Sequence, residues 1–204
     1  MNNDTLSIIE NYGEYTLDKF LNEGALRDLP IVGPAFSVIK IGKSIQDRIF
    51  MEKLRGFIDN VNENKKWREK FLDVDECYKI SKKLVYIIDS TDDDEKIKLI
   101  AILFNYYVAG EVDKDEFLYL SSIVSKSYYK YLKSLKSIND IRFSNDGEKY
   151  DSSVISHLYS IGLFDYSGST MAQMKEGKVV KLGSVIYNLN GYGSILKQII
   201  EQHD

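Results

Sequence analysis

His157 is the residue in this sequence that is best suited to act as a general base. Asp151, Ser153 and Asp165 lie close to it along the chain, and a histidine with carboxylate and hydroxyl neighbours can accept a proton from a reacting group. These residues do not follow the spacing of a recognised catalytic motif, and catalysis requires several polar groups that converge on one site. We therefore expect a protein that is not an enzyme and has no catalytic residue.

The other residues with reactive side chains predict neither a metal nor a cofactor. The single cysteine, Cys77, falls on the apolar stripe of a predicted helix, where a thiol acts as a small hydrophobic group. Together with His157 and His203 it does not form a recognisable zinc ligand set. Residues 42–44, Gly-Lys-Ser, match the end of a phosphate-binding loop, but Ser37 stands where that loop requires glycine. We therefore expect no bound nucleotide.

Lysines that alternate with tyrosines form a second kind of candidate site. On a helix, Lys126, Lys130 and Lys133 share one face, with Tyr129 beside them. Such a face can contact a nucleic-acid backbone. Cations near the end of a helix also complement its dipole and solvate an exposed surface, which requires no ligand. The second interpretation is preferred, and the face is kept as a candidate surface for a partner or for nucleic acid.

An apolar stretch at residues 97–108, IKLIAILFNYYV, predicts a helix that is buried on nearly all sides. Asp92 and Glu95 precede it with the spacing of a capping box, and Gly110 marks its end. A fully buried helix needs neighbours that cover it. We expect it to form the centre of a helical bundle that spans residues 1–137.

A second, antiparallel helix is predicted to begin at Asp113, with Glu116 completing its cap, and its apolar positions continue to Leu135. The turn between the two helices resembles the helix-turn-helix step of TerB-like helical domains, in which an A-x-G-x-V-D-x-x-E run joins two helices. The matching residues are Ala109, Gly110, Glu111, Val112, Asp113 and Glu116. The resemblance implies a helical body and carries over no metal-binding role.

Residues 29–49 suggest a different activity. They contain Pro30 and Pro34, an apolar segment with one charge at 29–42, and then the start of a basic helix. The apolar segment is too short for an ordinary transmembrane helix, and a buried core helix is the preferred interpretation. Because a basic amphipathic segment can also attach to anionic lipid, a membrane-acting defence effector is kept as an alternative.

The polar stretch at 138–149 is predicted to be a linker to a second module at 150–204. Asp151 or Ser152 is expected to cap a helix that Gly162 ends. Residues 178–189 are rich in β-branched side chains and predict one strand or a hairpin pair around Gly183. A last helix is expected to begin at Gly193 or Ser194.

This second module resembles winged-helix domains. The pattern L-x-x-x-G-L, followed later by Y-x-L-T-x-x-G-x-x-L with asparagine in place of threonine, is matched by Leu158, Gly162, Leu163, Tyr187, Leu189, Asn190, Gly193 and Leu196. The resemblance implies that residues 151–161 correspond to the recognition helix, yet this stretch has no arginine or lysine to read guanine or hold phosphate. Lys175, Lys178 and Lys181 on the predicted wing can hold a phosphate backbone, and winged helices also bind proteins.

The expected fold class is mainly α, with a helical bundle body followed by a small α+β winged-helix-like module. A hydrophobic content of 44% is enough for a packed core, and the net charge of −4 argues against nucleic acid bound over the whole surface. The first residues lack the basic and apolar regions of a secretory signal, and one cysteine suits a reducing compartment. A cytoplasmic location is therefore expected.

The leading hypothesis is a non-enzymatic adaptor, inhibitor or regulator that binds a protein partner. Its composition, rich in Tyr, Lys, Ile and Asn, is similar to that of bacterial or phage mobile-element and defence proteins. A winged-helix DNA-binding regulator and a membrane-acting effector are the alternatives, and the oligomeric state stays open. The candidate contacts with a partner or nucleic acid are Lys126, Tyr129, Lys130, Lys133, His157, Lys175, Lys178 and Lys181.

Overall fold

A computed structural model of the chain describes residues 45–61, 71, 73–138, 142–144, 150–176, 178–181 and 183–203. These residues form a mainly α protein with a small α+β module at its C-terminal end, as predicted. The chain divides into two compact units, which we call the N-terminal unit (Met1–Ser125) and the C-terminal unit (Lys126–Asp204).

Four helices form the described part of the N-terminal unit: α1 (Ile45–Asp59), α2 (Val74–Ser90), α3 (Asp94–Ala109) and α4 (Lys114–Lys126, whose last residue begins the C-terminal unit). Helix α3 is the buried centre that its apolar sequence predicts, and the side chains of Leu103 and Phe104 are fully inaccessible to solvent. The ring of Phe104 lies 5.7 Å from that of Phe57 and 5.7 Å from that of Phe117. A buried aromatic cluster therefore joins α3 to its neighbours.

The start of α3 differs from the prediction by one residue. Asp93 is the N-cap, and its side chain accepts a hydrogen bond from the backbone N–H of Glu95 at 2.9 Å. The predicted cap, Asp92, instead forms an ion pair with Lys96, whose buried ammonium also donates to the carbonyl oxygen of Ser125. A buried lysine requires a partner, so Asp92 is held away from the capping position. Gly110 ends α3 in the left-handed conformation, as predicted.

The start of α4 is confirmed, but its predicted length is wrong. Asp113 and Glu116 form a reciprocal capping box, with hydrogen bonds of 2.8 and 2.9 Å. The helix ends at Lys126 rather than continuing to Leu135, because Tyr128 has an extended backbone (φ −79°, ψ 117°). The helical phase restarts after this break, so that Leu132 is buried and Tyr128 is exposed.

The described part of the C-terminal unit contains three helices, a short 3₁₀ helix and five strands: α5 (Tyr129–Lys133), the 3₁₀ helix (Ser134–Ser137), β1 (Arg142–Ser144), α6 (Ser152–Ser160), β2 (Phe164–Thr170), β3 (Gln173–Lys175), β4 (Lys178–Lys181), β5 (Ser184–Leu189) and α7 (Gly191–His203). Strands β1, β5 and β2 form an antiparallel sheet in that order, and β3 pairs with β4. The prediction of a hairpin around Gly183 is therefore wrong. Strands β4 and β5 flank Gly183 but do not pair with each other. Strand β4 pairs with β3, and β5 pairs with β1 and β2.

The division between the units lies before the predicted linker at 138–149. Helix α5 packs against α6, and the 3₁₀ helix packs against α7. Residues 126–137 therefore belong to the C-terminal unit. Strand β1 falls inside the predicted linker and pairs with β5. The polar composition of residues 138–149 predicted a linker. The stretch instead contains β1, which is an edge strand of the three-stranded sheet.

Two features from the sequence lie outside the described residues. They are the phosphate-loop-like stretch at 42–44 and the apolar segment at 29–42. Of residues 29–49, the structure describes only the first turn of α1, where Ile45 and Ile49 are exposed. Most of the segment on which the membrane-acting alternative depends therefore lies outside the described residues, and that alternative stays a prediction.

Candidate interaction surfaces

The predicted lysine face is divided by the helix break after α4. Lys126 ends α4, whereas Lys130 and Lys133 lie on the five-residue helix α5. All three side chains are exposed, and the Lys133 ammonium lies 5.7 Å from the centre of the half-buried Tyr129 ring, within reach of a cation–π interaction. The prediction that the three lysines share one helix face is therefore wrong, and only Lys130 and Lys133 stand on one helix.

Among the described residues, His157 has an aromatic neighbour, and neither Asp151 nor Asp165 forms a hydrogen bond with it. Its imidazole is half-buried, its ring lies 5.1 Å from that of Tyr131, and its Nε2 atom has no hydrogen-bond partner among the described residues. Asp151 caps α6 by accepting from the N–H of Ser153 at 2.8 Å, and Asp165 accepts a 3.3 Å hydrogen bond from Asn190. Burial lowers the pKa of His157. The structure thus places His157 as a packing residue between α5 and α6.

Three tyrosines come together on the C-terminal unit, and we call them the tyrosine cluster: Tyr159 at the end of α6, Tyr166 on β2 and Tyr187 on β5. The ring of Tyr187 lies 4.8 Å from that of Tyr159 and 6.4 Å from that of Tyr166. Tyr159 is 43% exposed and Tyr166 is 55% exposed. A contiguous aromatic surface of this kind is typical of protein-binding sites, where tyrosine is enriched.

Backbone register produces the tyrosine cluster. Tyr166 and Tyr187 are direct partners in the antiparallel pairing of β2 with β5, and a bulge follows Tyr166 before Gly168. Cross-strand partners place their side chains on the same face of a sheet. The sequence motif contained Tyr187 alone, and the other two members were missed, because only the register and the end of α6 bring them beside it.

The residues of the winged-helix-like motif fix the turn beneath this cluster. Helix α7 begins at Gly191 rather than at the predicted Gly193 or Ser194, because Asn190 is its cap and accepts at its Oδ1 atom from the N–H of Gly193 at 3.0 Å. The same side chain donates to the carbonyl oxygen of Gly162 at 2.9 Å. A Cβ atom on Gly193 would collide with the backbone of Leu163 and the side chain of Leu189. Asn190 and Gly193 therefore hold the end of α6 against β5, which positions Tyr159 beside Tyr187.

The β3–β4 hairpin carries the remaining predicted contacts. Lys175 is exposed and is paired in register with Lys178, and Lys181 is paired with Gln173. Two large apolar side chains lie at the same end of the unit, with Met171 92% exposed and Met174 67% exposed. Exposed methionines adapt to apolar partners, because the side chain is flexible and polarisable. The hairpin thus combines positive charge with apolar surface.

The exposed face of α6 is neutral to acidic. Its accessible residues are Asp151, Ser152, Ser153, Ser156, Tyr159 and Ser160, and the pKa of Asp151 is lowered by its hydrogen bonds with Ser153. A carboxylate at this position repels phosphate. The helix that would correspond to a recognition helix therefore presents no lysine or arginine that could contact guanine or phosphate.

The sequence matches no protein-family model, and neither a curated protein nor a solved structure matches it. Across the part of the chain that the structure describes, no group of three or more His, Cys, Asp or Glu side chains could hold a metal ion. None of the described helices is both long enough and apolar enough to cross a membrane.

Proposed function

We propose that this protein is a non-enzymatic interaction protein of a bacterial or phage system, and that its C-terminal unit binds a protein partner through the tyrosine cluster. The observation that carries the proposal is the exposure of Tyr159 and Tyr166, whose rings both contact the half-buried ring of Tyr187, beside a neutral to acidic helix face. Tyrosine contributes a large contact area and a hydroxyl group at a small cost in side-chain entropy. The exposed Met171 and Met174 offer further apolar surface on the same unit.

The order of elements in the C-terminal unit supports a winged-helix-like module. Helix α6 is followed by β2, the β3–β4 hairpin, β5 and the Asn190-capped helix α7. In this interpretation the β3–β4 hairpin is the wing. The module has the winged-helix order of elements, and the exposed face of α6 contacts a protein partner instead of DNA. An adaptor, inhibitor or regulator in the cytoplasm is the kind of protein that this combination fits.

Affinity capture from the native host tests the proposal. The full-length protein and the double variant Tyr159→Ala/Tyr166→Ala are used as parallel baits after nuclease treatment, and the retained proteins are compared by mass spectrometry. A direct partner should be retained by the wild type and lost with the double variant. The matched control is Tyr78→Ala/Tyr128→Ala, which removes two tyrosines of similar exposure outside the tyrosine cluster and should retain that partner. A partner set that is equal for all three baits would contradict the proposal.

A second candidate function is DNA binding through the wing, which is favoured by the register that places Lys175 opposite Lys178. Contacts of this type neutralise phosphates, so binding weakens steeply as salt rises. A fluorescence-anisotropy titration of duplex DNA at low salt is the test, with Lys175→Glu/Lys178→Glu/Lys181→Glu as the variant that should weaken binding. A flat titration of the wild type would remove this candidate.

A further inference from the structure

Helices α2 and α4 enclose an open groove of about 390 Å³ on the N-terminal unit. Half-buried Ile87 and Leu118 give it an apolar base, and the exposed rings of Tyr86 and Tyr119 stand beside them. The lining residues on each helix follow helical spacing of three and four, and two such rows leave a channel of the kind that accepts a third helix.

Hydrogen bonds tie the two helices together at both ends of the groove. Near their first turns, the Lys114 ammonium donates to Glu76 at 2.8 Å. Near their last turns, the hydroxyl groups of Ser90 and Ser125 lie 3.0 Å apart, and Ser125 also donates to the carbonyl oxygen of Ile87. The groove is therefore formed before any ligand arrives, which lowers the entropy cost of binding.

Lys83 lines the groove on the α2 side, and two further lysines lie close to it on the same helix. Lys79 precedes Lys83 by one helical turn, and Lys82 is the neighbour of Lys83 in the sequence. All three are exposed, and within the described residues none of them takes part in an ion pair. Three cations this close together repel one another, so an anionic ligand that binds near them lowers their electrostatic energy.

We propose that this groove binds an acidic amphipathic helix of a protein partner. Its apolar side chains would lie on Ile87 and Leu118, and its carboxylates would face Lys79, Lys82 and Lys83. The exposed carboxylate of Asp115 lines the α4 side and would repel the continuous phosphate backbone of single-stranded RNA. An amphipathic helix can place its carboxylates on the α2 side alone. This surface belongs to the N-terminal unit and does not depend on the tyrosine cluster.

A displayed library of short helix-favouring peptides, selected on the full-length protein, tests the proposal. The enriched peptides should carry net negative charge and apolar residues at helical spacing. The best peptide is then titrated by fluorescence anisotropy against Lys79→Glu/Lys82→Glu/Lys83→Glu, which should weaken binding on the order of tenfold or more. The matched control, Lys130→Glu/Lys133→Glu/Lys175→Glu, makes the same change in net charge on the other unit and should leave affinity within about twofold.

A second variant keeps the charge and removes the aromatic walls. Tyr86→Ala/Tyr119→Ala should weaken the peptide on the order of tenfold, and circular dichroism establishes that each variant is folded. The proposal is overturned by a failure to enrich any peptide, by enriched peptides that are neutral or basic, or by equal weakening in the matched control. An oligouridine RNA that binds the wild type and displaces the peptide would assign the lysines to nucleic acid and would also overturn it.

Discussion

Each unit contains a cluster of aromatic rings, and the two clusters differ in burial. In the N-terminal unit, Phe104 is completely buried and its ring is surrounded by those of Phe57, Phe71 and Phe117. In the C-terminal unit, Tyr159 and Tyr166 also contact a neighbouring ring, but both are exposed. Ring contacts alone therefore do not indicate a core. Burial distinguishes a cluster that stabilises the fold from one that is available for binding.

Truncation of the buried ring should give the largest effect on stability. Phe104→Ala removes a fully buried side chain and leaves a cavity, and we expect the free energy of unfolding to fall by about 3–5 kcal/mol. Chemical denaturation followed by circular dichroism measures this change. The comparison variant is Tyr166→Ala, which should cost no more than about 0.5–1 kcal/mol, since its ring is already largely in solvent. Similar losses for the two variants would contradict the contrast between the units.

The second prediction concerns the backbone that supports the exposed cluster. Gly193→Ala places a methyl group against Leu163 and Leu189, and overpacking of this kind destabilises by about 1–3 kcal/mol. Hydrogen exchange should show faster opening of α7 and β5. Gly191→Ala is the matched control, because it lies two residues away in the same helix with open space around it, and it should be neutral or slightly stabilising.

Local sequence signals predicted the helix starts well. The Asp113–Glu116 box and the Asp151 cap both depend on residues within three positions of each other, so short spacing contains the required information. The choice between Asp92 and Asp93 failed for a different reason. It depends on Lys96 and its contact with Ser125, a residue 29 positions further along the chain, which no local pattern reports.

The candidate surfaces were predicted less completely, since they depend on pairing between distant segments. Lys175 was identified from its charge alone, and its exposure agrees with that choice. Tyr166 was not identified, because its position opposite Tyr187 is a property of strand register. The break at Tyr128 also lacked a signal, as neither glycine nor proline marks it. A helix that ends without a breaker is decided by tertiary packing rather than by propensity.

A smaller effect is expected at the helix start that both sequence and structure identify in the N-terminal unit. Asp113→Ala removes one half of the capping box, and the free energy of unfolding should fall by about 1 kcal/mol. Denaturation of the full-length protein measures the change. Asp113→Asn is the conservative variant and should restore most of the lost stability, since asparagine caps as well as aspartate. Equal losses for both would indicate that the carboxylate charge matters more than its hydrogen bond.

The last prediction separates His157 from the exposed cluster in its own unit. Burial lowers the pKa of His157 in the folded protein, so below about pH 6.5 the unfolded chain binds a proton more readily than the folded chain does. The stability of the C-terminal unit is therefore fully present above this pH and decreases as the pH falls through the folded pKa. Hydrogen exchange of α5 and α6 across this range measures the loss.

His157→Gln should reduce the pH dependence, whereas His203→Gln, near the chain end, should leave it unchanged. Because Asp151 also loses its favourable capping hydrogen bonds on protonation, a residual slope should persist at lower pH in both variants. If the His157→Gln variant kept the full slope between neutral pH and the carboxylate range, burial of the imidazole against Tyr131 would not be the cause. In that case the half-buried imidazole of His157 would contribute no more to the pH dependence of stability than an exposed side chain does, and its burial in α6 would have no measurable effect.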